Sequence, residues 1–162
     1  LWRRSSYPKI DALLGFEWRG FLDNYSVAKD IAFAARLRRA RRDGGGPVPL
    51  AAEVAAFWRD HLVPHFADEE AFVLPVLERG APELAAQMVE EHRQIRALVE
   101  RVAAEAPTWG GPLGEVADAL AAHIRFEERE AFPSAERLAD ADALARIGRQ
   151  IHDTHSHRTL SP

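Results

Sequence analysis

Apolar side chains recur at three- and four-residue steps along most of the chain. In the stretch from 82 to 105 the recurrent positions are Met88, His92, Ile95, Val99 and Val102. This spacing is typical of an amphipathic α-helix that turns one face toward a core. A histidine therefore lies in the middle of a stripe that is otherwise apolar.

Two further stretches have the same periodicity, and both carry ionisable side chains on the apolar face. One stretch contains Val116, Leu120, His123, Glu127 and Ala131. The other contains Val54, Trp58, His61, His65, Glu69, Phe72 and Val76, provided that its helix continues through Pro64. A proline inside a helix kinks it or costs about 3 kcal/mol, so this second helix is expected to deviate from a straight rod.

Clusters of glycine and proline separate the helical segments. They leave four long segments rich in helix-forming residues, at about 20–42, 51–78, 82–105 and 113–138, and a short fifth segment at about 141–152. Strand patterns are essentially missing. Because the connections are short or moderate, neighbouring helices should run antiparallel. The predicted fold class is all-α, an up-down four-helix bundle.

The length and composition indicate one ordinary domain. We expect a single domain over 1–162, with an N-terminal extension at 1–19, the bundle at 20–138 and a short helix and tail at 139–162. The net charge of −4 gives no electrostatic footprint for nucleic acid or for an anionic membrane. No apolar run reaches the roughly 20 residues of a membrane span, and the first residues do not resemble a signal peptide. A cytoplasmic protein is therefore the expectation.

One phrase is written twice, as HFADEEAFVLP at 65–75 and HIRFEEREAFP at 123–133. Each copy places a histidine and a glutamate four residues apart, on one face of a helix, as His65 with Glu69 and His123 with Glu127. Each copy also ends in a proline, which predicts a shared bend. On its own, each pair would more often be a hydrogen-bonded core histidine beside a solvated glutamate. The repetition, with His92 on the stripe between the copies, favours a shared site.

A buried carboxylate is unfavourable unless it is paired or bound to a metal, and these stripes carry little lysine or arginine. A divalent cation is the simplest group that satisfies all of these side chains. The chain has no cysteine, so the metal ligands must be nitrogen and oxygen atoms. Two carboxylates with several imidazoles suit iron, as two ions or one, better than a structural zinc. Glu70 and Glu128 are expected to face solvent or to orient a ligand imidazole.

The ferritin-like di-iron bundles use a glutamate three residues before the histidine, and no histidine here has one. Instead, HFADEEAFVLP, EEHRQI at 90–95 and HIRFEEREAFP resemble the hemerythrin-like family, the His-His-Glu cation-binding domains, over about 50–138. The resemblance implies a four-helix bundle around a non-haem di-iron centre. Members bind oxygen, sense oxygen, iron or nitric oxide, or turn over peroxide. The implied ligands are His65, Glu69, His92, His123 and Glu127, with the two carboxylates bridging the irons.

The first helix departs from the family pattern, which places a ligand histidine just before a run such as ARLRRA, here at 35–40. Counting back by register puts Val27 or Ala28 at the expected position, so one ligand is missing. The candidate replacements are the oxygens of Tyr25, Asp30 and Asp23, and His61 lies one turn before His65. The tail histidines, which are expected to have adventitious metal affinity at most, are His152, His155 and His157.

The N-terminal stretch is rich in aromatic side chains: Tyr7, Phe16, Trp18, Phe21 and Tyr25. A hydrophobic cap over one end of the bundle is the simpler interpretation, and a pocket for an organic substrate is the alternative.

The first functional hypothesis is a non-haem iron protein that binds or senses O2 or a reactive oxygen or nitrogen species. The alternatives are an O2- or peroxide-dependent non-haem iron oxidase or oxygenase of a small molecule, and a structural or regulatory module with a degraded metal site.

Overall fold

The computed structural model describes residues 27–140, and these residues form a bundle of helices with no strand among them. The all-α prediction is therefore confirmed, while the up-down order and the division of the domain remain predictions. The aromatic N-terminal stretch, the fifth predicted helix and the tail histidines lie outside the described residues. The helices are α1 Val27–Arg42, α2 Pro47–Phe57, α3 Val63–Phe72, α4 Leu74–Gly80, α5 Pro82–Ala104, α6 Pro112–Phe126 and α7 Phe132–Leu138.

Two π turns keep the second and fourth segments continuous. The first, Trp58–Leu62, joins α2 to α3, and the second, Glu127–Ala131, joins α6 to α7. Each π turn is followed by one residue and then by a proline, Pro64 or Pro133. Proline has no backbone N–H for the regular helical hydrogen bond. The preceding residue instead bonds five residues back, from Val63 to Trp58 and from Phe132 to Glu127.

The helix predicted to continue through Pro64 does so. At Pro75 the chain behaves differently, since α3 ends at Phe72 and α4 begins at Leu74. The two prolines that end the repeat therefore both interrupt a regular helix, but in different ways. The local match of Pro133 is Pro64, because both follow a π turn. Turns of this kind recur at functional sites.

The predicted apolar stripes are buried, and they divide into two clusters. One cluster includes Leu37, Val54, Phe66, Ile95 and Leu120. The other includes Val73, Leu77, Met88, Phe126 and Ala131. Along the second, third and fourth segments, the histidines and glutamates of the stripes come between residues of these two clusters. Among the described helices, none is both long enough and apolar enough to cross a bilayer.

Two connecting loops are tied together at one end of the bundle. Gly44, with a φ of 73°, takes the left-handed conformation that ends α1, and the Gly45 N–H bonds back to the Ala40 carbonyl at 2.8 Å. The Trp109 indole then donates to the Gly45 carbonyl, also at 2.8 Å. The loop before α6 is thus fixed to the loop after α1.

We expect Gly114→Ala to destabilise the protein by about 1–3 kcal/mol, as overpacked sites do. The added Cβ would collide with the backbone carbonyl oxygen of Trp109, which cannot rotate away as a flexible side chain would. This collision outweighs the gain of up to about 1 kcal/mol from replacing a helical glycine. Urea unfolding measures the change. Gly110→Ala is the matched control, because no atom lies within 4 Å of a Cβ built there, and equal stability of the two variants would contradict the prediction.

Candidate metal centre

Imidazole and carboxylate groups from all four helical segments meet between the two apolar clusters. We call this set the polar centre, and its members are Asp30, His61, His65, Glu69, His92, His123 and Glu127. All but His61 are buried, with at most 6% of each residue exposed. The five residues that the sequence predicted as ligands are therefore brought together, and Asp30 joins them from α1.

Four donors form the tightest part of the polar centre. One ligand atom from each of Glu69, His92, His123 and Glu127 lies within 4.8 Å of those of the other three. The Nε2 of His92 is 3.2 Å from Glu69 Oε2, and the Nε2 of His123 is 2.8 Å from Glu127 Oε1. Three helical segments thus contribute nitrogen and oxygen atoms to one small volume.

The corner of the polar centre nearest α1 is formed by Asp30, His61 and His65. Asp30 Oδ1 is 3.0 Å from His61 Nε2, and Asp30 Oδ2 is 3.2 Å from His65 Nε2. Of the oxygens proposed to replace the missing first-helix histidine, Asp30 is thus the one that the structure brings to the site. Tyr25 and Asp23 lie outside the described residues.

Two outer carboxylates fix the orientation of two imidazoles. His92 Nδ1 donates to Glu70 at 2.9 Å, and His123 Nδ1 donates to Glu91 at 2.8 Å. Because an ionised carboxylate only accepts hydrogen bonds, each pair directs the other ring nitrogen, Nε2, into the polar centre. For Glu70 the sequence left two outcomes open, exposure to solvent or orientation of an imidazole, and its side chain is 41% exposed while it also contacts His92.

Glu91 was not assigned a role from the sequence. Glu128, which was expected to face solvent or to orient an imidazole, lies exposed on the second π turn. Glu91 is adjacent to His92, so its side chain points to the flank of α5 rather than along the apolar stripe. That flank faces α6, which carries His123. No periodicity within one helix reveals such a pair, because it depends on how two helices are aligned.

Phe66 closes the polar centre on its apolar side. Its ring stacks on that of His92, with centroids 3.9 Å apart and an angle of 5° between the planes. It also meets His123 edge-on, with centroids 5.3 Å apart. These contacts hold both imidazoles in place and exclude water, which strengthens electrostatic interactions at the site.

The two buried glutamates differ in their ionisation. Burial and the charge of Glu127 raise the pKa of Glu69 well above its usual value. Burial alone would also raise the pKa of Glu127, but the charge of His123 overcomes it and lowers that pKa to about 2. The pKa values of the two glutamates are thus shifted in opposite directions, so Glu127 is ionised near neutral pH and Glu69 keeps its proton to a higher pH than an ordinary glutamate.

The three buried histidines differ as well. Burial and the charge of His123 lower the pKa of His92 to about 4, and burial lowers the pKa of His65. Burial also tends to lower the pKa of His123, but the charge of Glu127 and the hydrogen bond to Glu91 outweigh it and raise this pKa to about 9. The metal-free protein therefore stores a proton on His123 near neutral pH.

A cation fits these residues. In the described part of the chain, the ion-pair contacts of Asp30, Glu69 and Glu127 are all with histidines. Several buried atoms make no hydrogen bond, namely Asp30 Oδ1, both carboxylate oxygens of Glu69 and Glu127, and Nε2 of His92 and His123. These atoms lie close to one another, as near as 2.8 Å for His123 Nε2 and Glu127 Oε1. Such buried polar atoms are unfavourable unless an ion satisfies them.

Comparison with known proteins agrees with this chemistry. A sequence model of the hemerythrin HHE cation binding domain matches residues 29–135, more than half of the chain. Comparisons with curated proteins and with solved structures gave no significant match. The matched range starts just before Asp30 and includes every residue of the polar centre. The chain belongs to the hemerythrin HHE cation-binding domain family.

Proposed function

We propose that the protein is a non-haem iron protein whose centre binds or senses O2 or a reactive oxygen or nitrogen species. The observation that carries the proposal is the convergence of Glu69, His92, His123 and Glu127, four buried donors from three helical segments. Nitrogen and carboxylate oxygen donors without sulfur suit iron. Iron bound there would supply a redox-active Lewis acid with affinity for O2 and nitric oxide.

The protein's own residues would divide the work as follows. His65, Glu69, His92, His123 and Glu127 hold the iron through the atoms that face the polar centre. Glu70 and Glu91 keep two of the imidazoles in one tautomer. Phe66 and the apolar clusters on both sides keep bulk water away, so that a small diatomic molecule is favoured over charged competitors.

The alternatives have less support. A degraded metal site would be expected to expose its remaining donors to solvent, whereas Glu69, His92, His123 and Glu127 are each at most 2% exposed. The oxidase hypothesis depends on the N-terminal aromatic stretch, which lies outside the described residues, so it stays a sequence-based prediction.

We also infer that the four segments alternate in direction as an up-down bundle, because short loops such as 43–46 and 105–111 join them.

Metal loading tests the proposed function. Protein prepared without a His tag is loaded anaerobically with Fe²⁺, desalted, analysed for iron, and then exposed separately to O2 and to nitric oxide. We expect bound iron and a change in the visible absorption spectrum with at least one of the two gases. Protein that retains no iron, or that retains iron but responds to neither gas, would overturn the proposal.

We expect Glu91→Gln to weaken iron binding by about 10- to 100-fold, as removal of an outer hydrogen-bond partner usually does. The amide is nearly the same size but can present its NH2 to His123, so the ring loses the partner that fixes its tautomer. Competition with a chelator of known affinity measures the change. Glu90→Gln is the matched control, because Glu90 is exposed and pairs with Arg93 on the surface. Equal losses in the two variants would rule out an orienting role.

We expect a divalent cation to displace at least one proton per chain near neutral pH, because metal ligands must be deprotonated. This proton comes from His123, whose pKa is about 9, and the raised pKa of Glu69 adds to the release as pH falls. The pKa of His123 is raised, so cation affinity falls as pH drops below about 9, by about tenfold per pH unit for each proton displaced. Calorimetric titration with Co²⁺ at about pH 6 and about pH 8, in buffers of different ionisation heat, measures the number of protons displaced and the change in cation affinity with pH. A binding heat independent of the buffer would contradict this expectation.

A further inference from the structure

His61 is the most exposed member of the polar centre. Its side chain is 14% exposed, whereas the side chains of its neighbours His65 and Asp30 are 4% and 2% exposed. His61 lies on the first π turn, and its Nε2 is 3.0 Å from Asp30 Oδ1 on α1. We call the contact of α1 with α2 and this π turn the α1–α2 interface. The polar centre comes nearest to the surface there.

Aromatic rings fill the α1–α2 interface. Phe33 of α1 stacks on Phe57 at the end of α2, with centroids 4.0 Å apart and 14° between the planes. Phe57 packs in turn against the ring of His61, with centroids 4.7 Å apart. The ring of His61 lies nearly parallel to that of His65, with centroids 6.1 Å apart. A row of four rings thus leads from the partly buried Phe33 to the buried His65.

We propose that a small neutral molecule such as nitric oxide reaches the polar centre through the α1–α2 interface, and that Phe57 controls its rate of entry. The ring of Phe57 covers His61, so it must move outward before a molecule can pass between α1 and the π turn. This inference rests on the proposed iron-binding function and deepens it, since it adds a determinant of ligand access that is not itself a metal ligand.

The neighbouring sides of the polar centre are closed more tightly. Phe66 lies flat against His92, with centroids 3.9 Å apart, and is 1% exposed. On α6, Leu120 is fully buried. Side chains packed at interior density move only together with their neighbours. Phe33 and Phe57 are only partly buried, so their rings can rotate toward solvent on the fast timescale of exposed side chains.

The chemistry of the α1–α2 interface favours a gas over an ion. A charged species between Phe33 and Phe57 would lose its hydration without gaining a polar partner, which is unfavourable. A neutral diatomic molecule has little hydration to lose. A cation meets more suitable groups on the α5 side, where Glu70 and Glu91 are 41% and 21% exposed and each contacts an imidazole of the polar centre. Widening the α1–α2 interface should therefore speed the entry of a gas more than that of a cation.

Stopped-flow mixing of the Fe²⁺-loaded protein with nitric oxide tests the route. We expect Phe57→Ala to raise the association rate constant by about tenfold, within the range that variants of one binding site span. Phe33→Ala removes the ring on which Phe57 stacks, so it should also raise the rate, and it stands in if Phe57→Ala does not fold. Leu98→Ala is the matched control, because Leu98 is a partly buried side chain on the same apolar cluster but lies on α5. Its rate constant should stay at that of the unsubstituted protein.

Uptake of Co²⁺ by the metal-free protein separates a route for gases from a general loosening of the bundle. The Phe57→Ala and Phe33→Ala variants should take up Co²⁺ at the rate of the unsubstituted protein. A folded variant whose nitric oxide association is unchanged overturns the route. So does a rise that Co²⁺ uptake or Leu98→Ala matches, because the whole bundle would then have loosened. An unsubstituted protein that retains no iron fails the proposed function itself, before the route is tested.

Discussion

His123→Ala is expected to abolish iron binding and to lower the free energy of unfolding of the metal-free protein by about 3–5 kcal/mol, as breaking a buried ion pair does. His123 is 1% exposed and lies 2.8 Å from Glu127, which is fully buried. Without the imidazolium, the ionised Glu127 would lose its nearest charged partner, and His65 lies 3.8 Å away. The iron would also lose a nitrogen donor that nothing else nearby supplies.

A double variant separates the buried charge from the lost packing. His123→Leu combined with Glu127→Leu removes both charges and refills the space, so it should recover much of the stability of the unsubstituted protein while losing the iron held with Glu69 and His92. Urea unfolding and iron analysis give the two quantities. Stability that stays as low as in His123→Ala would assign the loss to packing rather than to the unpaired carboxylate.

Leu120→Ala is the matched control for His123→Ala. Leu120 lies one turn earlier on the same face of α6 and is fully buried in the apolar cluster. Its truncation leaves a cavity and should cost about 2–5 kcal/mol, a loss of similar size. It removes no ligand, so iron content should persist at temperatures where the variant is folded. A folded His123→Ala that keeps full iron content and full stability would exclude His123 as a ligand.

The inward faces of three segments could be predicted from the sequence because a helix repeats every 3.6 residues. Met88, His92 and Ile95 share a face in any helix, whatever the neighbouring segments do. The same is true of His65 with Glu69 and of His123 with Glu127. Since burying a carboxylate is unfavourable, finding two of them on apolar faces already indicated a bound cation.

Asp30 shows the limit of counting positions along the chain to locate the first-helix ligand. Alignment to the family pattern placed the missing ligand at Val27 or Ala28, and Asp30 was only one of several candidate replacements. The inward face of α1 is in fact marked by Asp30, Ala34 and Leu37, three buried residues at helical spacing. The sequence therefore already contained an indication of this ligand, because Asp30 lies on an apolar stripe one turn after Val27.

Other features depend on how helices are aligned with one another, and no single-helix pattern reports that. Glu91 reaches His123 only because α5 and α6 lie side by side at one particular register. The π turns shift the register inside a segment, and Pro64 and Pro133 marked their places without specifying their form. A proline can equally end or kink a helix, so the sequence predicted a disturbance and not a π turn.

Iron binding is expected to contribute a large part of the free energy of unfolding of the loaded protein. When free iron is at about a thousand times its dissociation constant, binding to the folded state alone adds about 4 kcal/mol. For a chain of this length, that is a rise in melting temperature of about 10 °C. The polar centre gives a structural reason, since a bound cation satisfies the buried oxygens and nitrogens that otherwise make no hydrogen bond. Calorimetric melting of loaded and chelator-treated protein measures the difference.

Glu69→Gln tests the origin of that stabilisation, because it should affect the two forms of the protein unequally. In the metal-free form the raised pKa favours the protonated, neutral form of Glu69, so replacing it with a neutral amide of the same shape should change stability little. In the loaded form the amide removes the carboxylate that contacts both His65 and His92, and most of the iron-dependent rise in melting temperature should disappear. If the variant were as strongly stabilised by iron as the unsubstituted protein, Glu69 would not be a ligand. If it were instead much less stable without iron, the carboxylate would have to be ionised in the metal-free fold, contrary to the direction of its pKa.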